Sequence, residues 1–186
     1  MIRKITKIIL VAIVLQFTLM SYASAQFSRL GGGLAFSTGI ENEDHKTGNP
    51  GINARGVFEL GEKFWIIPGL TFYMPGKRQH NTFGMGKTMF ATIDADAVYA
   101  LASENTLLFY ALAGGSLSYI RSSFDAGDAT STYMPGLNIG TGIEMIVEKD
   151  LNAFAQVKGV IGSYSQYIAI SIGVHYYIKG RRYRTW

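Results

Sequence analysis

The chain has 186 residues, 48% of them apolar and only 16% charged, with 22 glycines, 11 tyrosines, 11 phenylalanines, 2 tryptophans and no cysteine. That length supports one domain with a full core and excludes two comfortable ones, while the missing cysteine excludes a disulfide framework and a thiolate metal site. The formal charge of +4 does not describe a nucleic-acid binder: setting aside Arg3, Lys4 and Lys7 in the first segment leaves 17 less 3, or 14, basic groups against 13 acidic ones, and Lys179, Arg181, Arg182 and Arg184 all crowd the last eight positions, so no basic stripe crosses the folded part.

Met1 to Ala25 begins basic, runs apolar from Ile8 to Leu15 and on through Phe17, Leu19 and Met20, and ends in Ala23-Ser24-Ala25. This is the pattern of a secretory signal peptide cleaved before Gln26. The apolar run falls short of the roughly 20 residues of a spanning helix, which weighs against an uncleaved anchor. No later segment is apolar enough to span as a helix. An exported chain of this kind enters a bilayer only as a closed barrel, because open strand edges would leave backbone groups unpaired in lipid.

From Gln26 onward the residues alternate with a period of two, the mark of strands with unlike faces. The first predicted strand, Phe27 to Glu41, sets Leu30, Leu34, Phe36 and Ile40 against Arg29, Gly31, Gly33, Ala35 and Ser37. The second, Gly51 to Leu60, sets Ile52, Ala54, Gly56, Phe58 and Leu60 against Asn53, Arg55, Val57 and Glu59. The third, Phe64 to Met74, has two faces that do not separate, and Pro68 within it predicts an irregular ladder. The fourth, Thr88 to Leu101, opposes Ala91, Ile93, Ala95, Ala97, Tyr99 and Leu101 to Thr92, Asp94 and Asp96. In the fifth, Leu107 to Arg121, Gly114-Gly115 suggests a bulge and leaves the inward row open. The sixth, Tyr133 to Val147, opposes Leu137, Ile139, Thr141, Ile143, Met145 and Val147 to Asn138, Gly140, Gly142 and Glu144. The seventh runs from Leu151 to Gly162. The last, Tyr167 to Ile178, is the clearest: Ile168, Ile170, Ile172, Val174, Tyr176 and Ile178 form one row and Tyr167, Ala169, Ser171, Gly173, His175 and Tyr177 the other.

These eight strands predict an all-β, antiparallel, up-and-down transmembrane β-barrel over residues 26–178, followed by a basic periplasmic tail over 179–186. Three long polar loops, Asn42 to Pro50, Gly76 to Lys87 and Ser122 to Thr132, face outward, and short turns such as Gly61-Glu62-Lys63 and Glu148-Lys149-Asp150 face the periplasm. Arg29, Arg55, Glu59, Asp94, Asp96, Glu144 and Lys158 each fall on the row opposite the apolar one, which places a neutralising charge network in the lumen. Aromatics cluster at strand ends and predict two girdles, with Trp65, Tyr99, Tyr110 and Tyr176 at the inner interface and Phe36, Phe72 and Tyr133 at the outer one.

The leader, the dyad strands, the two charged turns and the closing pair LNAFAQVKGVIGSYSQYIAISIGVHYYI resemble the OmpA-like and OmpX-like outer-membrane β-barrel domain family. The resemblance lies in pattern over nearly all of the chain after the leader. It implies a monomer in the outer-membrane lipid of a Gram-negative-type bacterium, inserted by the barrel-assembly machinery. Family members often end on an aromatic residue read by that machinery, and Trp186 matches; Arg182 and Arg184 depart from the accompanying apolar row, which leaves Tyr176 and Ile178 as the other reading of that signal.

Signals for chemistry are weak. Gly86-Lys87-Thr88 ends like a phosphate-binding loop, but Asn81 stands where a glycine is required and a strand follows in place of a helix. A hydrolase needs serine, histidine and an acid within hydrogen-bond reach; the strand histidine, His175, shares a row with Ser171 near Glu144, but its parity points into the lumen. His45 with Glu41, Glu43 and Asp44 lies in a loop without fixed ligand geometry. The expectation is therefore a barrel without catalytic residue, metal or cofactor, which binds through its loops or serves the membrane structurally. The alternatives are a lipid-acting barrel enzyme and a soluble periplasmic lipocalin-like binding barrel. A soluble exterior is rich in Lys and Glu, whereas the polar rows here are mostly Gly, Ala, Ser, Asn and Thr. A transport pore is disfavoured because eight strands leave an interior that side chains fill.

Overall fold

A computed structural model describes residues 26–38, 49–80, 84–104, 106–124, 129–162 and 166–178. The expected leader, the tail 179–186, His45 with its acidic neighbours, and the centres of the loops lie outside the described residues. The strands are β1 (Gln26–Ser37), β2 (Asn49–Glu59), β3 (Phe64–His80), β4 (Gly84–Glu104), β5 (Leu107–Phe124), β6 (Thr130–Glu148), β7 (Leu151–Gly162) and β8 (Gln166–Tyr177). Each pairs antiparallel with the next, and β1 pairs with β8 to close the barrel.

Closure places two glycines face to face. Gly33 of β1 is the register partner of Gly173 of β8, and a Cβ on either would collide with backbone of the other strand, Ile172 O or Gly32 O. The seam thus demands residues without side chains at that pair. Pro68 pairs with Ala95 of β4, but the β2–β3 ladder passes from Arg55 with Gly69 to Phe58 with Ile66. The interruption falls where the proline offers no N–H to its neighbour.

Two sequence expectations about elements need correction. No bulge occurs at Gly114-Gly115: both pair in register with β4 and β6, and a Cβ at Gly114 would strike Ala95 O. The irregularities lie at Phe27/Arg29, Tyr73/Gly76, Ala100/Ala102 and Ile146/Glu148. The segment Gly76 to Lys87 is not a loop for most of its length. β3 and β4 stay paired through it, Lys77 with Lys87 and His80 with Gly84, and β5 and β6 likewise stay paired up to Ser122 with Thr130. Asn49 and Pro50, expected in the first loop, pair with Ser37 and Phe36.

β3 to β6 are therefore 17, 21, 18 and 19 residues long, against 11 or 12 for the other four strands. At about 3.3 Å per residue, six extra residues carry a strand roughly 20 Å further. Among the described residues β3 leaves β2 at Tyr73 with Gly51, and β6 leaves β7 at Gly136 with Gly162. Among the described residues these four strands thus extend past their neighbours as a ribbon at the loop end of the barrel.

The distribution of side chains is inverted relative to a water-soluble domain. Leu34, Leu137, Ile139, Ile93 and Leu101 are 60–70% exposed, while Arg29, Asp96, Glu144, Asn138 and His175 are buried. A continuous apolar surface of this extent needs an apolar surrounding.

Candidate functional site

The interior is built by the inward rows. β3 sends in Trp65, Ile67, Thr71 and Tyr73, and β5 sends in Leu108, Tyr110, Leu112 and Ser118, which resolves the two strands whose parity the sequence leaves open. The lumen carries two apolar clusters. Toward the loop end, Tyr73, Phe90, Met134, Val160 and Tyr167 pack together with Ala35 and Ala169. Tyr73 stacks on Phe90 at 4.7 Å, and Phe90 meets Tyr167 edge-on at 5.2 Å. In the other half, Val57, Trp65, Ile67, Val98, Leu108, Tyr110 and Leu112 form the second cluster.

Two charge clusters share this interior. In one, Lys158 Nζ donates to Asp94 Oδ1 at 2.8 Å and to Asp96 Oδ2 at 3.0 Å, and Asn138 Nδ2 donates to Asp96 Oδ1 at 2.7 Å. β4 supplies two carboxylates two residues apart on one face, and β7 supplies the ammonium that answers both. In the other cluster, Glu144 of β6 accepts from Arg29 Nη1 and, at 2.7 Å, from Asn152 Nδ2, and its Oε1 lies 3.2 Å from His175 Nδ1. Arg29 also approaches Glu59 at 3.6 Å and lies over the rings of Trp65 and Tyr177, at 5.0 and 5.3 Å. Arg55 departs from simple ion pairing: its Nη1 donates to Gln156 Oε1 at 2.9 Å and its guanidinium sits 4.1 Å over Phe154. Buried cations are thus met by carboxylates, amides and ring faces, which is the condition for tolerating charge out of water.

Two small cavities lie among these described residues. One cavity of about 20 Å³ lies among Arg29, Glu59, Trp65, Glu144, Asn152 and Tyr177, and another of about 10 Å³ lies among Asn53, Arg55, Asp94, Asp96 and Lys158. Each has room for about one water, and neither is a conduit for a solute.

Trp65 and Tyr110, expected in the inner girdle, do not reach the exterior. Both are at most 2% exposed and belong to the lumen cluster. Tyr110 lies over Gly142, where an added Cβ would collide with the phenol hydroxyl, so a glycine on β6 makes the space for a ring from β5. The other aromatics named for the girdles, Tyr99, Tyr176, Phe36, Phe72 and Tyr133, are between 39% and 67% exposed, joined by Phe64 and Phe109.

His175 lies on the inward row with Ser171, as its parity predicts. It is 1% exposed, stacks on Phe154 at 4.5 Å and engages Glu144 through Nδ1. Among the described residues no group of three or more His, Asp or Glu is placed to hold a metal ion. Sequence reasoning missed the lumen aromatics and the amides Asn152 and Gln156 as members of the network. Their even spacing on β7, in a row with Lys158, was the available signal.

No family model matches the sequence, and no curated protein matches it. Solved structures do match. Neisserial surface protein A aligns with a TM-score of 0.62 at 17% identity, covering 82% of this chain and 98% of that one. The fold is that of the small eight-stranded outer-membrane barrels. Ail, the attachment invasion locus protein of Yersinia pestis, aligns with a TM-score of 0.60 at 16% identity over 81% of this chain and 97% of its own. The N-terminal β-barrel domain of Pseudomonas aeruginosa OprF gives 0.58 at 16% identity over 83% and 100%. At these identities the likeness concerns architecture alone.

Proposed function

We propose that this protein is an integral outer-membrane barrel without catalytic activity, which carries a rigid ribbon of β3 to β6 as its recognition surface. The observation that carries this reading is the inverted side-chain distribution: a continuous apolar exterior around an interior of paired charges. The interior is filled, so the barrel serves as a platform. Chemical variety is concentrated at the loop end, and loops held on a rigid scaffold commonly carry recognition. Ail has been crystallised with the heparin analogue sucrose octasulfate, so a barrel of this fold accommodates a polyanion; here the loop-end segments mix both signs, with Glu43, Asp44, Asp125 and Asp128 against Lys77, Arg78 and Lys87.

Insertion by the assembly machinery, a monomeric state and export by a cleaved leader belong to the same reading. Its test is fractionation of cells expressing the full chain. The protein is expected in outer membranes, with gel mobility that shifts on boiling, as closed barrels do. Release by osmotic shock as a soluble protein would favour the lipocalin-like alternative. Lipid hydrolysis that disappears in both Ser171→Ala and His175→Ala would favour the enzyme.

A further inference from the structure

Arg29, Arg55 and Lys158 face the lumen. Lys87 of β4 and Arg121 of β5 are exposed and lie on the outward rows, in step with Ile93 and Tyr99 on β4 and with Phe109 and Leu117 on β5. The register places Lys87 opposite Ser123, Met89 opposite Arg121, and Arg121 opposite Ser131 of β6. Lys87 and Arg121 are therefore diagonal neighbours, about 7 to 8 Å apart at their Cβ atoms. Long side chains reach one anion from that separation. The backbone of β3 pairs with β4 at this level, Lys77 opposite Lys87.

Directly below, Tyr119 and Tyr133 are a register pair with ring centroids 5.1 Å apart, and Tyr133 is 67% exposed. Below them the outward rows carry Leu117, Leu137 and Ile139. Arg121 is two residues beyond Tyr119, which is roughly 7 Å along the strand. Tyrosine rings mark the level where an apolar band meets headgroups, so the two cations stand at headgroup height on the side that faces lipid. Among the described residues no carboxylate pairs with either.

We propose that Lys87 and Arg121, with the Ser123 and Ser131 hydroxyls beside them and the Tyr119–Tyr133 pair beneath, form a site for the phosphate of a lipid headgroup in the outer leaflet. Guanidinium and ammonium supply charge-assisted bonds to phosphate oxygens, while the tyrosines and the apolar rows below receive the upper part of the acyl chains. The site rests on the outer-membrane reading above and adds a ligand class to it. The source is a membrane lipid, because the patch lies on the outward face at the base of the ribbon and continues into the lipid-facing rows below.

The test uses the full barrel in phosphatidylcholine nanodiscs with and without phosphatidic acid, whose headgroup is a phosphomonoester. The lipids that stay bound after extraction are measured by native mass spectrometry. The wild type is expected to retain phosphatidic acid over phosphatidylcholine, and Lys87→Gln/Arg121→Gln to lose about 25-fold of that preference, from about fivefold per basic group. Lys63→Gln/Lys149→Gln, with the same charge change at the opposite end, is expected to retain it. Equal retention by both double variants would overturn the proposal while the barrel is inserted and heat-modifiable. So would displacement of the lipid by a soluble sulfated polysaccharide that depends on Lys87 and Arg121, which would make the ligand a soluble polyanion. Failure of the wild type to insert would remove the outer-membrane reading itself and this site with it.

Discussion

Glu144 answers Arg29, Asn152 and His175 from one buried carboxylate. Removing one partner of a buried pair leaves the other charge desolvated and costs about 3 to 5 kcal/mol, whereas replacing both with apolar residues of similar volume is often neutral. Glu144→Ala is thus expected to destabilise the barrel by about that amount in urea unfolding from detergent micelles. Arg29→Met/Glu144→Leu should cost clearly less than the single change. A double variant as unstable as Glu144→Ala would show that the remaining partners, and not the ion pair, dominate. Lys158→Met should behave as Glu144→Ala does, since it strands Asp94 and Asp96 facing each other.

Much of this network was legible in the sequence because a charge on a strand announces its face. Arg29, Asp94, Asp96 and Glu144 each interrupt an otherwise small or polar row. Trp65 and Tyr110 were not legible. On β3 and β5 both rows are apolar, with Trp65 and Ile67 facing in while Phe64 and Ile66 face out, so parity within the strand carries no sign. Only the neighbours' register decides it, through Gly142 beneath Tyr110.

Strand ends were the least legible elements. Residues 76–87 read as a loop because glycine and charge are abundant there, yet backbone pairing continues through 76–80 and 84–87. Once two strands are held in register by a barrel, each further pair of hydrogen bonds extends the ladder without a new closure cost, and weak β-propensity is overridden. The ribbon extends past the strands that close the barrel, and recognition is the role proposed for it. Replacing residues 76–87 by a tight turn is therefore expected to leave heat-modifiable mobility intact while removing any surface-binding phenotype. Loss of assembly would show that the ribbon is part of the folding unit. Parity gives a second test: Ile139→Arg on the outward row of β6 should cost about 2 to 4 kcal/mol in a bilayer, measured by urea-dependent folding into vesicles. The same change tested in a soluble barrel would be nearly neutral.

Apolar side chains face outward and paired polar groups face inward in the described barrel, and the proposed platform role follows from that arrangement. The apolar lumen clusters and the small cavities predict negligible conductance in planar bilayers, and large steady openings would contradict the filled interior. The absence of cysteine makes a more direct measurement available. Single cysteines placed in turn from Ile168 to Tyr176, each carrying a nitroxide label in the reconstituted barrel, report lipid contact through collision with oxygen and water contact through collision with a soluble nickel chelate. High oxygen accessibility at 168, 170, 172, 174 and 176, alternating with low accessibility to both reagents at 169, 171, 173 and 175, is the predicted result. Uniform access of the nickel chelate along the even positions would contradict it.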